Sequence, residues 1–295
     1  MHAIPPDMLL WIAVGDAYGA CFEYADADAT RPNDLSGYPP NIVYPAIGGG
    51  RYTDDAQMSA ALAEAVLGGP LTRESVAEAF VARFKLDARM GYSRGMQALM
   101  SCCIDGEDLL RRIHPVKNTS GAAMRVLPVA ALSDVSSVMA AADLQASVTH
   151  DTPGGIASAT AAAMMAFGMR SGVTAPNLPK YVFDHVPGDW MRPWQGPVGS
   201  AGVDAVRAAL WTVATAERSM ASALRRAVDL TGDVDTVAAI ALGTLACDPH
   251  TLRDIPASLV HGLENGDWGR DYLEELGGKL SEFSEAAILD KTPHF

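Results

Sequence analysis

Apolar residues recur at steps of three and four along most of the chain, over 57–68, 75–86, 121–132, 134–148, 155–170, 201–216, 219–230 and 236–247. That spacing lines one face of an α-helix and predicts a helix in each window. The segment 155–170 (GIASATAAAMMAFGMR) is apolar nearly all round, so it should be a fully buried helix, and its small side chains let neighbours approach closely. Alternating Val/Ile/Thr-rich runs are scarce, and no sheet is expected. Glycine and proline punctuate 31–50, 187–200 and 248–256. No repeat or linker interrupts the pattern. The expectation is one compact all-α domain over residues 1–295, with long functional loops at 24–52 and 187–200. Trp190, Trp194 and Gln195 lie on the second loop, either to cover a ligand or to pin the loop to the core.

Composition narrows the class. With 49% hydrophobic and 19% charged residues the chain can build a large core. A net charge of −13, with no long Lys/Arg run, argues against a nucleic-acid partner and suits local cation binding. Cys21, Cys102, Cys103 and Cys247 form no C-x-x-C pair and have no histidine at zinc spacing, so they read as buried free thiols in a reducing compartment. The apolar stretch from Met8 to Val14 lacks a basic flank and is cut short by Asp16, which fits neither a signal peptide nor a membrane span. A cytoplasmic protein with no membrane contact is expected.

The chemistry concentrates in two acidic clusters, Thr53-Asp54-Asp55 and Asp233-Val234-Asp235-Thr236, each just before an Ala-rich apolar segment. Helix capping accounts for one residue in each cluster, because a cap needs one acceptor. Adjacent or alternate carboxylates at the mouth of a buried helix repel one another by a few kcal/mol when desolvated, unless a cation offsets the charge. Four carboxylates and two hydroxyls that meet would form an all-oxygen site suited to Mg²⁺ or Mn²⁺. The second cluster is not an EF-hand, since it lacks the Gly and the Glu of that loop. Three further features stand out. Gly15-Asp16-Ala17-Tyr18-Gly19 puts a charge into an apolar run, as a solvated turn or as part of a site, with Glu23 four residues beyond. His150 precedes the 155–170 helix, as a cap or core histidine or as a ligand-facing one. Residues 118–125 (NTSGAAMR) offer backbone N–H groups to an anion.

Taken in order, these pieces resemble the ADP-ribosylglycohydrolase family. The family opening G-D-x-x-G-x-x-x-E is similar to Gly15-Asp16-Ala17-Tyr18-Gly19-Ala20-Cys21-Phe22-Glu23, and T-D-D-T-x-M to Thr53-Asp54-Asp55-Ala56-Gln57-Met58. G-N-G-x-x-M-R-x-x-P is similar to the run from Thr119 to Pro128, the Ser/Thr-His pair to Thr149-His150, and D-x-V-x-x-A-L-W to 202–211. G-G-D-x-D-T-x-A-A-I is similar to the run from Thr231 to Ile240, with Thr231 in place of the first Gly. Ala56 stands for a Thr, and the family's Asn-Gly is shifted or altered to Asn118-Thr119-Ser120.

The resemblance implies an all-α fold with a binuclear metal cleft and two divalent cations, Mg²⁺ or Mn²⁺. It implies metal ligands Thr53, Asp54, Asp55, Asp233, Asp235 and Thr236. Catalytic carboxylates would be Glu23, Asp54 and Asp55, and the substrate-binding residues Ser120, Gly121, Met124 and His150. The implied activity is hydrolysis of the glycosidic bond between ADP-ribose and a protein side chain, arginine foremost. Its partners would be an ADP-ribosylated protein or ADP-ribose. The alternatives are another conjugate, such as ADP-ribosyl-serine or O-acetyl-ADP-ribose, or a non-catalytic binder on the same fold.

Overall fold

The computed structural model describes residues 1–25, 32–41, 45 and 48–290. Among these the chain forms thirteen α-helices: α1 (Met8–Gly19), α2 (Asp54–Leu67), α3 (Arg73–Leu86), α4 (Arg94–Cys102), α5 (Gly106–Arg112), α6 (Val135–Thr149), α7 (Pro153–Arg170), α8 (Leu178–His185), α9 (Gly202–Thr215), α10 (Met220–Asp229), α11 (Val234–Ala246), α12 (Ala257–Gly262) and α13 (Arg270–Leu289). The described residues contain only isolated β-bridges, among them Thr119 with Ala201 and Val198 with Gly232. The fold is all-α. Part of the loop expected over 24–52 lies outside the described residues.

Seven of the eight apolar windows are α-helices. The exception is 121–132, which forms two short 3-10 turns, Ser120–Ala122 and Leu127–Ala131. Pro128 explains the break: it has no N–H for a helical bond, and it biases Leu127 away from the α conformation. The segment still buries its apolar residues, so it keeps helix-like spacing without a helix. Asp16 is not in a solvated turn. It lies inside α1, fully buried.

The centre of the molecule is the pair α1 and α11, in which every residue is buried. They cross closely because two glycines of α1 face the α11 backbone. A Cβ at Gly15 would lie 2.5 Å from the Ala238 carbonyl oxygen, and one at Gly19 would lie 2.8 Å from the Asp235 nitrogen. One continuous apolar cluster joins this pair to α2, α3, α7, α9 and α13 through residues such as Leu62, Phe80, Met164, Leu210 and Leu280. The crossing matters beyond packing, because it sets the end of α1 against the start of α11.

On the loop after α8, Trp190 is buried and donates Nε1–H to the Val186 carbonyl (3.0 Å), which pins the loop to the core. Trp194 is half-buried under the Arg207 guanidinium (4.7 Å) and lines an open groove of about 360 Å³ with Trp211, Arg226 and Asp229. Gln195 is exposed. Of the cysteines, Cys21, Cys103 and Cys247 are buried free thiols, whereas Cys102 is exposed. No helix among the described residues is long and apolar enough to cross a membrane.

Candidate active site

The two acidic clusters sit at the N-termini of α2 and α11, and neither is explained by capping with its own side chain. Thr53 is the N-cap of α2 and Asp233 that of α11, yet neither side chain caps its helix. The α2 terminus is instead satisfied from another helix. Asp16 of α1 accepts hydrogen bonds from the Thr53 amide (2.9 Å), the Thr53 hydroxyl (2.8 Å) and the Ala56 amide (2.9 Å). A carboxylate at a helix N-terminus also meets the positive end of the helix dipole. The Asp54 amide donates to the Met90 carbonyl (3.0 Å). Asp54 and Asp55 are thereby left with carboxylates that the helix start does not need.

The α1–α11 crossing brings the second cluster to the same place. Glu23 follows the end of α1, and one carboxylate oxygen from each of Glu23, Asp233 and Asp235 lies within 4.8 Å of the others. The main chain before Asp233 is held by a parallel bridge: Val198 donates to the Thr231 carbonyl (2.9 Å), and Asp233 donates to the Val198 carbonyl (3.0 Å). The Tyr24 amide donates to the Gly232 carbonyl (3.0 Å), tying Glu23's own segment to that loop. Ser120 hydrogen-bonds the Asp233 carboxylate, and Thr236 reaches both Asp55 and Asp233.

So many carboxylates in so little water resist ionisation. Burial pushes Asp54, Asp55 and Asp235 well above the usual carboxylate range, and the charges of Asp16, Glu23, Asp233 and one another add to it. Glu23 is pushed to about 8 by burial, then by Asp233 and Asp16. Asp16 rises only to about 6, because the hydrogen bonds from Ala56 and Thr53 oppose its burial. Asp233 also rises through burial, with Ser120, Asp235 and Thr236 opposing. Ionised pairs at this separation repel by a few kcal/mol each at an effective dielectric near 20. Three buried oxygens, Glu23 Oε2, Asp55 Oδ2 and Asp233 Oδ2, have no hydrogen-bond partner among the described residues. Unpartnered buried acceptors are costly. Hard oxygen donors in a carboxylate-rich cradle suit a divalent cation, which would satisfy those atoms and offset the charge. The residues present fit such a group.

A second wall faces this cluster. The 3-10 turn at Ser120–Ala122 puts Gly121 against His150, and a Cβ at Gly121 would lie 2.9 Å from the imidazole Cε1. Met124 is buried behind the turn, and its amide donates to the Ser120 carbonyl (3.0 Å). His150 is buried, which pulls it down to about 3, so the ring is neutral. Its Nε2 lies 2.9 Å from Thr119 Oγ1 and its Nδ1 2.7 Å from Thr149 Oγ1. Arg125, also buried, lies over the Phe80 ring and donates to Gln145 (2.8 Å) and Thr149 (2.7 Å).

Glu23, Asp233 and Asp235 meet, the charges of Asp54 and Asp55 act on that group, Thr236 reaches Asp55 and Asp233, and Thr53 is held by Asp16. Ser120 reaches Asp233, Gly121 packs on His150, and the Met124 amide donates to the Ser120 carbonyl. Sequence reasoning assigned no role to Thr119 or Arg125, and it left Asp16 between a solvated turn and a site. For Asp16 the signal was present, a lone charge in an apolar helix. The Thr119 and Arg125 contacts arise only when residues 119–125 meet α6.

Fold and site define an all-α protein with a buried carboxylate centre suited to a divalent cation. The ADP-ribosylglycohydrolase family model matches residues 7–288, and the chain belongs to that family of glycosyl hydrolases acting on ADP-ribosylated substrates. Among solved structures, one described as an ADP-ribosylglycohydrolase-related protein complex is similar over 95% of this chain and 98% of its own, with a TM-score of 0.72. Its sequence identity is 23%, so the likeness is one of fold. No curated protein matches the chain.

Proposed function

We propose that the chain hydrolyses the bond between the anomeric carbon of ADP-ribose and a protein side chain, arginine foremost, with two divalent cations, Mg²⁺ or Mn²⁺. The observation that carries this reading is the meeting of Glu23, Asp233 and Asp235 within 4.8 Å beside Asp54 and Asp55, with buried oxygens on three of the five that have no partner among the described residues. Thr53, Asp54, Asp55, Asp233, Asp235 and Thr236 would hold the cations. Bound there, the cations supply charge neutralisation and Lewis acidity. Glu23 or Asp54 takes the proton of the attacking water at a carboxylate oxygen, and Asp55 adds its charge to the acidic wall. As the bond to the leaving group stretches, positive charge grows on the ribose, and the acidic wall stabilises it. The water oxygen bonds to the anomeric carbon as the bond from that carbon to the guanidine nitrogen breaks, and the guanidine leaves with the proton that the carboxylate took from the water. Ser120, Gly121, Met124 and His150 bind the ADP-ribose. The continuous core supports one domain, and the buried free thiols and acidic charge support a cytoplasmic protein without a nucleic-acid partner.

Release of free ADP-ribose from arginine-linked, serine-linked and O-acetyl substrates tests the reading. Arginine-linked substrate should be cleaved in the presence of Mg²⁺ or Mn²⁺, and chelation should abolish cleavage. Asp235→Ala should lose cation binding and activity together. An Asp235→Ala protein with full activity would sink the scheme. Tight ADP-ribose binding without release from any substrate would identify a binder instead.

A further inference from the structure

The hydrogen bonds behind the second wall form a chain whose direction is fixed at one end. A guanidinium can only donate. Arg125 Nη2 donates to Thr149 Oγ1 (2.7 Å), leaving Thr149 one hydroxyl hydrogen to place in a buried setting. Among the described residues the acceptor in reach is His150 Nδ1 at 2.7 Å. A buried hydroxyl left without an acceptor is unfavourable, so Thr149 donates and Nδ1 accepts. The neutral ring then carries its hydrogen on Nε2 and donates it to Thr119 Oγ1 at 2.9 Å. The ring cannot turn to relieve this arrangement without losing both bonds, and Gly121 is packed against its edge.

Thr119 thus receives a hydrogen bond and has its own hydrogen left over. The residue is half-buried, and His150 is the one hydrogen-bond partner of its hydroxyl among the described residues. It precedes Ser120, which binds Asp233 of the acidic centre. We propose that Thr119 is a substrate-binding residue whose hydroxyl, oriented by the Arg125–Thr149–His150 chain, donates to an acceptor oxygen of the ADP-ribose moiety. The chain polarises each successive donor in the same direction, away from the guanidinium, which strengthens the terminal one. The family pattern has Gly at this position, so the hydroxyl sets this chain apart from that pattern. The inference rests on the ADP-ribose reading above.

Two measurements test it. The first is nitrogen-15 NMR of the His150 imidazole in the ligand-free protein, which reports the tautomer without reference to substrate. The second is calorimetric binding of ADP-ribose, with Mg²⁺ present, to wild type, Thr119→Val, Thr119→Ser and Thr149→Val. We expect His150 protonated on Nε2 alone in wild type and a mixture of tautomers in Thr149→Val. Loss of one hydrogen bond in Thr119→Val should weaken binding about 10-fold, and Thr119→Ser should restore it. A wild-type ring protonated on Nδ1, or Thr119→Val binding within twofold of wild type, overturns the proposal. If wild type itself fails to bind ADP-ribose, the functional reading falls, and with it the role of Thr119 in substrate binding. The tautomer then reports on the hydrogen-bond chain alone.

Discussion

Thr231 occupies a backbone conformation that suits it badly. It lies two residues beyond the end of α10 with φ of +63°, followed by Gly232 at +90°. A helix commonly ends on a left-handed residue at this position, and glycine is the usual choice because a Cβ clashes there. A β-branched side chain is penalised further. Nothing in the structure explains the threonine, for its hydroxyl makes no hydrogen bond among the described residues. Thr231→Gly should stabilise the protein by about 0.5–1 kcal/mol, the left-handed strain exceeding the extra chain entropy of glycine. The midpoint of urea unfolding measures this, and a lower midpoint would contradict it. At the same scale, Asp16 shows how a residue with an obvious signal can have an unexpected partner. A lone carboxylate in an apolar helix is legible in sequence. That it caps a helix starting 38 residues later is not.

At the scale of elements, the seven windows that became α-helices were readable because apolar residues recur at steps of three and four over a helix's length, even where, as in 155–170, little polar face remains. The 121–132 window misled because spacing reports which residues are buried, and a proline decides whether the backbone carries them as a helix. α1 was harder to see because its apolar stretch, Met8 to Val14, is short and Asp16 cuts it. Its motif is best explained as a crossing device. Gly15 and Gly19 admit the α11 backbone, Asp16 holds the start of α2, and Glu23 arrives beside Asp233 and Asp235. Gly19→Ala would push its Cβ into the backbone of Asp235, which cannot give way as a flexible side chain does. It should cost about 1–3 kcal/mol of stability and weaken divalent-cation binding through displacement of Asp235 from Glu23. Gly15→Ala, one turn deeper against Ala238, should cost similar stability with a smaller effect on the cation. Thermal melts and cation titration separate the two. Equal cation affinity in Gly19→Ala and wild type would contradict the account.

The acidic centre makes the whole molecule sensitive to pH. Glu23 titrates from an ordinary value of 4.5 in the unfolded chain and at about 8 in the cation-free fold. Asp16 moves from 3.8 to about 6, and Asp54, Asp55 and Asp235 move in the same direction. Between those values the folded protein holds protons that the unfolded chain has released, so stability falls as pH rises. The cation-free protein should therefore have a Tm that declines from about pH 5 to about pH 8. Cations compete with those protons, so their apparent affinity should rise over the same range, and saturating Mg²⁺ or Mn²⁺ should remove the decline. Melting curves across this range, with chelator and with cation, check both statements. A cation-free Tm that climbs with pH would refute them.

The residues of the chain settled that it folds as packed helices, because apolar spacing of three and four persists whatever the helices pack against. They also settled that two clusters of carboxylates stand at helix starts, since charge and local spacing are properties of the chain. Tertiary structure decided what those clusters became. Repulsion between carboxylates depends on separation in space, and Glu23, Asp233 and Asp235 come within 4.8 Å only because two glycines let α1 and α11 cross. The direction of the hydrogen bonds from Arg125 to Thr119 was likewise invisible beforehand. Whether a hydroxyl donates or accepts is fixed by its neighbours, and these come from α6 and from the turns that precede it.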